Sequence, residues 1–167
     1  MTMTAERETI VLGLGEMQVI KGQSGVLACI GLGSCIAIAT YDPVSKVGGM
    51  AHMVLSTSFD NNASEAPAKY INKAIPLLLY EMYNRGAVKS RIVVKIAGGA
   101  QMLSIPGLSG RDSVAQRNII ATKEALAKEG IPLAASDVGG GTGRTARLFL
   151  DSGKLYVKTT DGRAVDL

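Results

Sequence analysis

The chain has little of several features that mark particular classes of protein. It contains no tryptophan, 4% aromatic residues, one histidine and two cysteines among 167 residues. It also lacks an apolar run of the about 18 residues that a membrane-spanning helix needs, and its first residues lack the apolar stretch of a secretory signal. We therefore expect no membrane insertion and a cytoplasmic location, where both thiols stay reduced.

The same shortages argue against metal and nucleic-acid binding. A structural zinc site needs several cysteine or histidine ligands, and the chain has no Cys-x-x-Cys and no second histidine. The net charge is +4, but the lysines and arginines are scattered and no aromatic residues alternate with them. This is not the pattern of a nucleic-acid groove, so we predict no metal site and no nucleic-acid partner.

Apolar residues and glycines are abundant. Hydrophobic residues make up 47% of the chain, enough for one continuous core, and 20 glycines indicate many tight turns and close backbone contacts. We predict a single domain over 1–167, with a flexible N-terminus at 1–8.

The spacing of apolar and turn residues predicts an α+β fold. Two long helices are expected, at 67–85, where Pro76 should kink or break the helix, and after Ser113 up to a stop at Gly130. A polar loop is expected at 56–66, and the first five strands should form a meander. The whole predicts a mixed β-sandwich or sheet with the two helices outside it. The predicted strands are 9–12, 16–21, 26–30, 35–41, 47–55, 91–97, 131–138, 145–150 and 154–160.

Cys35 follows a glycine-rich turn, Gly31-Leu32-Gly33-Ser34, and begins an apolar strand. Backbone N–H groups at such a point would lower the pKa of the thiol and stabilise an oxyanion on an attacked carbonyl. His52 is the one imidazole that could act as its general base. Each residue also has an ordinary interpretation, Cys35 as a small core residue and His52 as a satisfied buried side chain, and composition leaves both open.

Other glycine clusters do not fit known nucleotide or hydrolase motifs. The run 139–144 lacks the Gly-Lys-Ser/Thr ending of a phosphate-binding loop, and Ser34 lacks the final glycine of a serine-hydrolase nucleophile turn. Gly139 and Gly140 are therefore interpreted either as turn residues or as a wall that brings backbone close to a substrate. Asp137, just before them, is the best candidate for a buried acid near a site, although such an Asp is more often a turn or cap residue.

Several short motifs occur in order between Val11 and Lys158. They are Gly31 to Cys35, Gly49 to His52, Lys69-Tyr70, Lys95 to Met102 with Gly98-Gly99-Ala100, Arg117-Asn118, and Asp137 to Gly140 with Gly143-Arg144. Together they closely resemble the CheD family, the chemoreceptor glutamine deamidases of bacterial and archaeal chemotaxis.

The resemblance implies a cysteine hydrolase that converts receptor glutamines to glutamate and releases ammonia. It makes Cys35 the nucleophile and His52 the general base, and it places the third catalytic member, a threonine in the family, at Cys29. A thiol is a weak hydrogen-bond partner, so this position departs from the family pattern. The resemblance also implies a fold like that of the toxin-type glutamine deamidases, chemoreceptor cytoplasmic domains as substrate, and the phosphatase CheC as a partner.

The chemistry expected of the pair needs no cofactor. Attack by Cys35 on the amide would give a thioester, which water hydrolyses with His52 as base, and the same groups could cleave a glutamyl methyl ester. Two alternatives remain: a non-catalytic chemotaxis adaptor that binds receptor and CheC, and a cysteine amidase for small molecules. The residues expected to supply the oxyanion site and the substrate slot are Gly33, Ser34, Gly98, Gly99, Gly139 and Gly140.

Overall fold

The computed structural model describes residues 8–58, 66–103 and 113–167. Within them the chain forms ten strands, two α-helices and a short 3-10 helix at Lys89–Arg91. The helices are α1 (Ile71–Asn84) and α2 (Val114–Glu129). The strands are β1 (Thr9–Val11), β2 (Met17–Lys21), β3 (Val26–Leu32), β4 (Ile36–Asp42), β5 (Val47–Met53), β6 (Val93–Gly98), β7 (Leu133–Val138), β8 (Arg144–Phe149), β9 (Leu155–Thr159) and β10 (Ala164–Asp166).

The strands form two five-stranded mixed sheets. The first sheet has the order β1-β3-β8-β9-β10 and the second has the order β2-β5-β4-β6-β7. In each sheet one pair is parallel, β1 with β3 and β6 with β7, and the other pairs are antiparallel. The expected α+β fold, a mixed β-sandwich with two helices outside it, is therefore confirmed as an architecture.

Two apolar layers hold the fold together. One layer lies between the sheets, with Leu27 and Leu148 from the first and Met50 from the second. The other joins the far face of the second sheet to both helices. β4 and β5 are therefore buried on both faces, which explains their nearly continuous apolar sequence.

Two adjacent glycines let β5 be packed closely from both sides. A Cβ atom at Gly48 would come within 2.5 Å of Leu150, which directly follows β8 of the first sheet. One at Gly49 would come within 3.0 Å of Leu78 and 3.1 Å of Met82 on α1. Because these distances are below normal carbon contacts, only glycine allows both layers to close on the strand that carries His52.

Both predicted helices are present, with differences at their ends. α1 begins at Ile71 rather than at residue 67, because Tyr70 is held extended in a β-bridge with Leu55. Of the kink or break expected at Pro76, the break is wrong, since α1 continues through it as one helix to Asn84. α2 begins after Ser113, whose hydroxyl accepts from the Gln116 N–H, and ends at Gly130 in the left-handed conformation.

The nine predicted strands are all present, with ends that differ by at most about two residues, but the expected meander is wrong. β1 and β3 lie in one sheet while β2, β4 and β5 lie in the other, so the chain crosses between sheets three times before residue 36. β10 was not predicted, because its three residues are too short to show alternation. Most of the polar loop expected at 56–66 lies outside the described residues.

Candidate active site

Cys35 lies between β3 and β4, where the chain passes from the first sheet to the second. Its side chain is half-buried and contacts the apolar layer between the sheets. Burial raises the pKa of the Cys35 thiol, and the residue's own backbone N–H partly offsets that rise. The expectation of a lowered thiol pKa is therefore wrong for the resting protein, because burial outweighs the backbone donor.

Three glycine-containing loops meet at Cys35 and are joined by main-chain hydrogen bonds. The Gly99 N–H donates to the Cys35 carbonyl over 2.9 Å, and the Gly139 N–H donates to the Gly98 carbonyl over 3.0 Å. Two further bonds of the same kind run from Ala100 to Gly33, 2.8 Å, and from Gln101 to Gly140, 2.9 Å. The structure thus brings together the glycines that the sequence analysis selected as a wall around Cys35.

Gly98 is the tightest point of this contact. Its φ is +116°, and a Cβ atom there would overlap the Cys35 carbonyl oxygen. Gly139 and Gly140 also have positive φ, 87° and 71°, but a Cβ atom at either would meet nothing within 4 Å. Gly98 is therefore required both by conformation and by close approach, whereas the other two are required by conformation alone.

His52 is on β5, opposite Ala37 of β4 in the antiparallel register. Alternation along β5 directs Met50 and His52 into the layer between the sheets, and alternation along β4 directs Ala37 there. Cys35 contacts the same layer two positions before Ala37. The thiol and the imidazole are thus diagonal neighbours across one strand pair, a placement in which side chains can reach each other.

The imidazole of His52 is held on one side only. It is 3% exposed, and its Nδ1 lies 3.0 Å from the main-chain carbonyl oxygen of Leu12. A carbonyl only accepts, so in neutral His52 the proton is on Nδ1 and the lone pair is on Nε2. Within the described residues Nε2 has no hydrogen-bond partner. Leu12 is itself fixed, because its side chain is buried and its N–H donates to Ala28.

Cys29 lies on β3 in the same layer between the sheets and is fully buried. Burial, with a further contribution from the nearby Cys35, raises the pKa of the Cys29 thiol to about 12. Both cysteines are free thiols. In the family pattern, the third catalytic residue would bind Nδ1 of the histidine. Here Nδ1 of His52 contacts the Leu12 carbonyl, so Cys29 lies close to the site but is not the observed partner of His52.

Asn118 on α2 also contacts the site. The sequence indicated it only as part of the Arg117-Asn118 motif, with no role of its own. It is fully buried, and its side-chain amide Nδ2 donates to the carbonyls of Ser34 and Val54, both over 2.9 Å. It thereby connects the turn before Cys35 with the end of the strand that bears His52. The available signal was a polar residue on the buried stripe of α2, one helical turn before Thr122.

Comparison with known proteins places the chain in a family. Residues 54–159 match the family model described as CheD chemotactic sensory transduction. The chain belongs to the CheD family. A protein of Caldanaerobacter subterraneus named probable chemoreceptor glutamine deamidase CheD is 41% identical over 154 residues, which are 92% of this chain and 94% of the relative. A Thermotoga maritima protein named chemoreceptor glutamine deamidase CheD is 40% identical over 152 residues, covering 91% and 92% of the two chains.

The CheD family match includes part of the candidate site. Gly98, Gly99, Asn118 and Gly139 lie within the matched residues, and Cys35 lies before them. Among solved structures, the Bacillus licheniformis hypothetical protein YfiH aligns over 73% of this chain and 49% of its own, with 15% identity and a TM-score of 0.46. That degree of similarity carries no argument about fold or function.

Asp137, the candidate for a buried acid near the site, is ion-paired with Arg144 and Arg163. Burial opposes its ionisation, but hydrogen bonds from Arg163 and Arg144 outweigh it and lower the pKa of the carboxyl group. Arg144 is 5% exposed, and it also donates to the Gly98 carbonyl over 3.2 Å. Asp137 is thus an acid close to the site, as expected, and it belongs to an ion-pair network that supports the wall at Gly98.

Two features are absent from the described residues. They contain no cluster of three or more histidine, cysteine, aspartate or glutamate residues that could hold a metal ion. In the same part of the chain, no helix has the length and apolar character needed to cross a membrane.

Proposed function

We propose that this chain deamidates glutamine side chains of chemoreceptors to glutamate and releases ammonia, with Cys35 as nucleophile and His52 as general base. One observation carries the proposal: a buried imidazole whose Nδ1 is fixed by Leu12, whose Nε2 has no hydrogen-bond partner within the described residues, and which strand alternation directs into the apolar layer that Cys35 contacts. A neutral imidazole with one fixed nitrogen and one free nitrogen is what a general base requires. The names of the relatives supply the substrate class.

In the first half of the reaction, Cys35 begins as a thiol, in keeping with the raised pKa that burial gives it. His52 Nε2 takes the thiol proton as sulfur attacks the carboxamide carbon of the glutamine. The tetrahedral intermediate then breaks its carbon–nitrogen bond, and His52 returns the proton to the leaving ammonia. This leaves a thioester between Cys35 and the substrate side chain.

In the second half, water attacks the thioester carbonyl while His52 accepts a proton from it. The carbon–sulfur bond breaks, and Cys35 leaves as a thiolate that recovers the proton from His52. We assign stabilisation of the oxyanion to the backbone N–H groups of Ser34 and Cys35. The loops at Gly98–Gly99 and Gly139–Gly140 would form the slot for the substrate side chain, and a glutamyl methyl ester would follow the same path with methanol leaving.

The carbonyl of Leu12, rather than Cys29, is proposed to orient His52. In the family pattern that task falls to a threonine hydroxyl, and here the 3.0 Å contact of Nδ1 is with a main-chain oxygen. A carbonyl acceptor fixes the tautomer and the ring orientation as a side-chain acceptor would. The proposal therefore keeps Cys35 and His52 as the reacting pair and removes Cys29 from it.

The remaining expectations belong to the same proposal. They are chemoreceptor cytoplasmic domains as substrate, the CheC phosphatase as partner, a cytoplasmic location, one domain over 1–167, and a fold related to toxin-type glutamine deamidases. Superposition on a toxin-type enzyme tests the last of these, and co-purification with CheC tests the partner.

The decisive experiment measures ammonia release from a purified chemoreceptor cytoplasmic fragment. We expect turnover by the wild type, loss of it in Cys35→Ala and His52→Ala, and conversion of particular glutamines to glutamate in peptide mass spectra of the fragment. Lys154→Ala serves as the control, because the half-exposed Lys154–Asp166 ion pair belongs to no part of the site. Wild-type protein that binds the fragment without releasing ammonia would overturn the enzyme proposal in favour of the adaptor. Turnover of free amides alone would favour a small-molecule amidase.

A further inference from the structure

The side chain of Asn118 on α2 bonds to chain segments on both sides of the proposed reacting pair. Ser34, whose carbonyl accepts from Nδ2, directly precedes Cys35, and Val54, whose carbonyl accepts from the same atom, follows His52 by two positions. The side-chain oxygen Oδ1 accepts from the Ser56 hydroxyl over 2.9 Å. The three hydrogen bonds of the amide thus join the turn before Cys35 to the segment that follows β5, the strand of His52.

The orientation of this amide is fixed by its partners. Carbonyl oxygens only accept, so the nitrogen must face Ser34 and Val54, and the oxygen must face the Ser56 hydroxyl. The side chain is fully buried, so its loss would leave two carbonyls without the donor they have now. An amide with two donors and one acceptor in this arrangement acts as a clamp rather than as a reactive group.

The backbone of Asn118 is fixed as well. The Thr122 hydroxyl, also fully buried, donates to the Asn118 main-chain carbonyl over 2.8 Å, and Ile119 packs in the apolar layer beneath the second sheet. A Cβ atom at Gly99 would press against Ile119, so α2 contacts the glycine wall through the Ile119 side chain. It contacts the turn before Cys35 through the Asn118 amide, which donates to Ser34. α2 therefore positions the clamp relative to Cys35 through two separate contacts.

We propose that Asn118 is a positioning residue that sets the spacing between Cys35 and His52. The inference rests on the proposed function for its catalytic meaning, but the clamp also has a consequence that needs no substrate. Displacement of either segment would separate the thiol from the imidazole that takes its proton, and misplacement of about 1 Å in such pairs can cost about 100-fold in rate. Because the contacts of the Asn118 side chain seen among the described residues are with Ser34, Val54 and Ser56 rather than with the thiol or the glycine loops of the slot, substrate binding should be affected less than turnover.

The test compares Asn118→Ala and Asn118→Asp with Thr122→Val. The aspartate keeps the volume and the acceptor for Ser56 while leaving no donor when ionised and one donor when protonated, so at least one of the two carbonyls loses its hydrogen bond. Thr122→Val removes a buried hydrogen bond to the same residue but leaves the side-chain clamp intact. Three quantities are measured for each variant: the urea midpoint of unfolding, kcat and KM for ammonia release, and the rate of Cys35 alkylation by iodoacetamide from pH 5 to 10, read by peptide mass spectrometry.

We expect both Asn118 variants to lower kcat by about 10- to 100-fold with KM changed less than about threefold. We also expect their alkylation profiles to lose the shape that the wild type owes to His52 and to approach the profile of His52→Ala. Thr122→Val should keep the wild-type alkylation profile even if its urea midpoint of unfolding falls as far as those of the Asn118 variants. If Asn118→Ala does not fold, Asn118→Asp, which keeps the side-chain volume, provides the comparison.

The inference is overturned if the folded Asn118 variants keep the wild-type kcat and alkylation profile, or if Thr122→Val changes both as strongly at equal stability. The two proposals fail separately. A wild type that releases no ammonia overturns the proposed function, while its alkylation profile, compared with those of the Asn118 and His52 variants, still decides whether Asn118 sets the thiol–imidazole spacing.

Discussion

β4 and β5 form a hairpin, and each end of it holds a buried polar side chain. At the turn end, Asp42 is fully buried, and its carboxylate accepts hydrogen bonds from three backbone N–H groups and from the guanidinium of Arg91. At the other end, His52 is 3% exposed, and its Nε2 has no partner within the described residues. The two ends belong to the same pair of strands and are buried to a similar degree.

The contrast separates structural from functional burial of polar groups. A buried polar atom without a partner costs about 1–3 kcal/mol, so folding alone gives no reason to keep one. The Asp42 carboxylate avoids that cost because all its partners are donors, and the unpartnered atom of the turn is the Ser45 hydroxyl beside it. At the other end the unpartnered atom is the imidazole nitrogen Nε2 of His52, a potential base that shares its apolar layer with a half-buried thiol. We therefore expect substitutions at the turn end to change stability, and substitutions at the His52 end to change activity.

The largest effect should come from Asp42→Ala. Removing the buried carboxylate leaves Arg91 and three backbone N–H groups without their acceptor, which should lower the free energy of unfolding by about 3 kcal/mol. Activity per folded molecule should stay at the wild-type value. Urea denaturation and ammonia release at a temperature where both proteins are folded measure the two quantities.

The matched control for this variant is Asp166→Ala. Asp166 and Lys154 form an ion pair whose side chains are 52% and 50% exposed, and its removal should cost less than about 1 kcal/mol. If Asp42→Ala abolished activity while still fully folded, the division of the hairpin into a structural end and a functional end would not hold.

The next effect is expected at the His52 end, where Gly98→Ala should reduce kcat by about 100-fold, because the new methyl group displaces the Cys35 carbonyl. Gly162→Ala is the control, since Gly162 also has a positive φ, 96°, a Cβ atom there meets no neighbour within 4 Å, and the residue is not part of the proposed slot. We expect it to cost stability of about 1 kcal/mol and little activity. Equal loss of kcat in both variants would mean that backbone strain, rather than contact with Cys35, controls the site.

A smaller effect should appear in the pH dependence of stability. Burial opposes ionisation of Asp42, but the hydrogen bonds from Arg91 and the backbone outweigh it and lower the pKa of the carboxyl group. A lowered pKa in the folded state stabilises the protein above the unfolded value of about 3.9, and that stabilisation decreases as the pH falls below it. The difference in unfolding free energy between wild type and Asp42→Ala should therefore shrink by about 1 kcal/mol between pH 6 and pH 3. A difference that grows with acidification would contradict the assignment.

The smallest effect is expected from Cys29→Ala. If Leu12 orients His52, removing the Cys29 thiol should change kcat by less than about threefold, equivalent to about 0.6 kcal/mol of activation free energy. Steady-state kinetics of ammonia release measure this, with Cys29→Thr as the variant that restores the residue type of the family pattern. A large loss in Cys29→Ala that Cys29→Thr reverses would return position 29 to the catalytic set.

The strands and helices were predictable because each has a period or a punctuating residue. α1 carries apolar residues at helical spacing, and α2 has Ser113 and Gly130 at its ends. The assignment of strands to two sheets was not predictable, because pairing depends on contacts between distant segments, such as β3 with β8. Alternation gives the faces of a strand but not its neighbour.

The residues around Cys35 were predictable from residue type, and the groups that position them were not. A single histidine and three glycine clusters stand out in the sequence, and the structure brings the glycine loops together at Cys35. The Leu12 carbonyl has no counterpart in the sequence, because every residue carries one. Asn118 was visible as part of the Arg117-Asn118 motif, but a polar residue at that position is equally typical of the solvent-facing edge of a helix, so its buried role was not predictable.

The wall around Cys35 is built from peptide groups, and this has a consequence for redesign. The bonds from Gly99, Ala100, Gln101 and Gly139 to the facing carbonyls use no side chain. Gly99 and Gly139 are restricted by their positive φ, but at Ala100 and Gln101 any residue except proline can in principle supply the bond. Met102, which is 58% exposed and lies over Gly33, can then be varied in a combinatorial library without removing a single one of these bonds. Side chains beside the slot can therefore be changed to alter its selectivity, while the backbone hydrogen bonds that form the wall are kept.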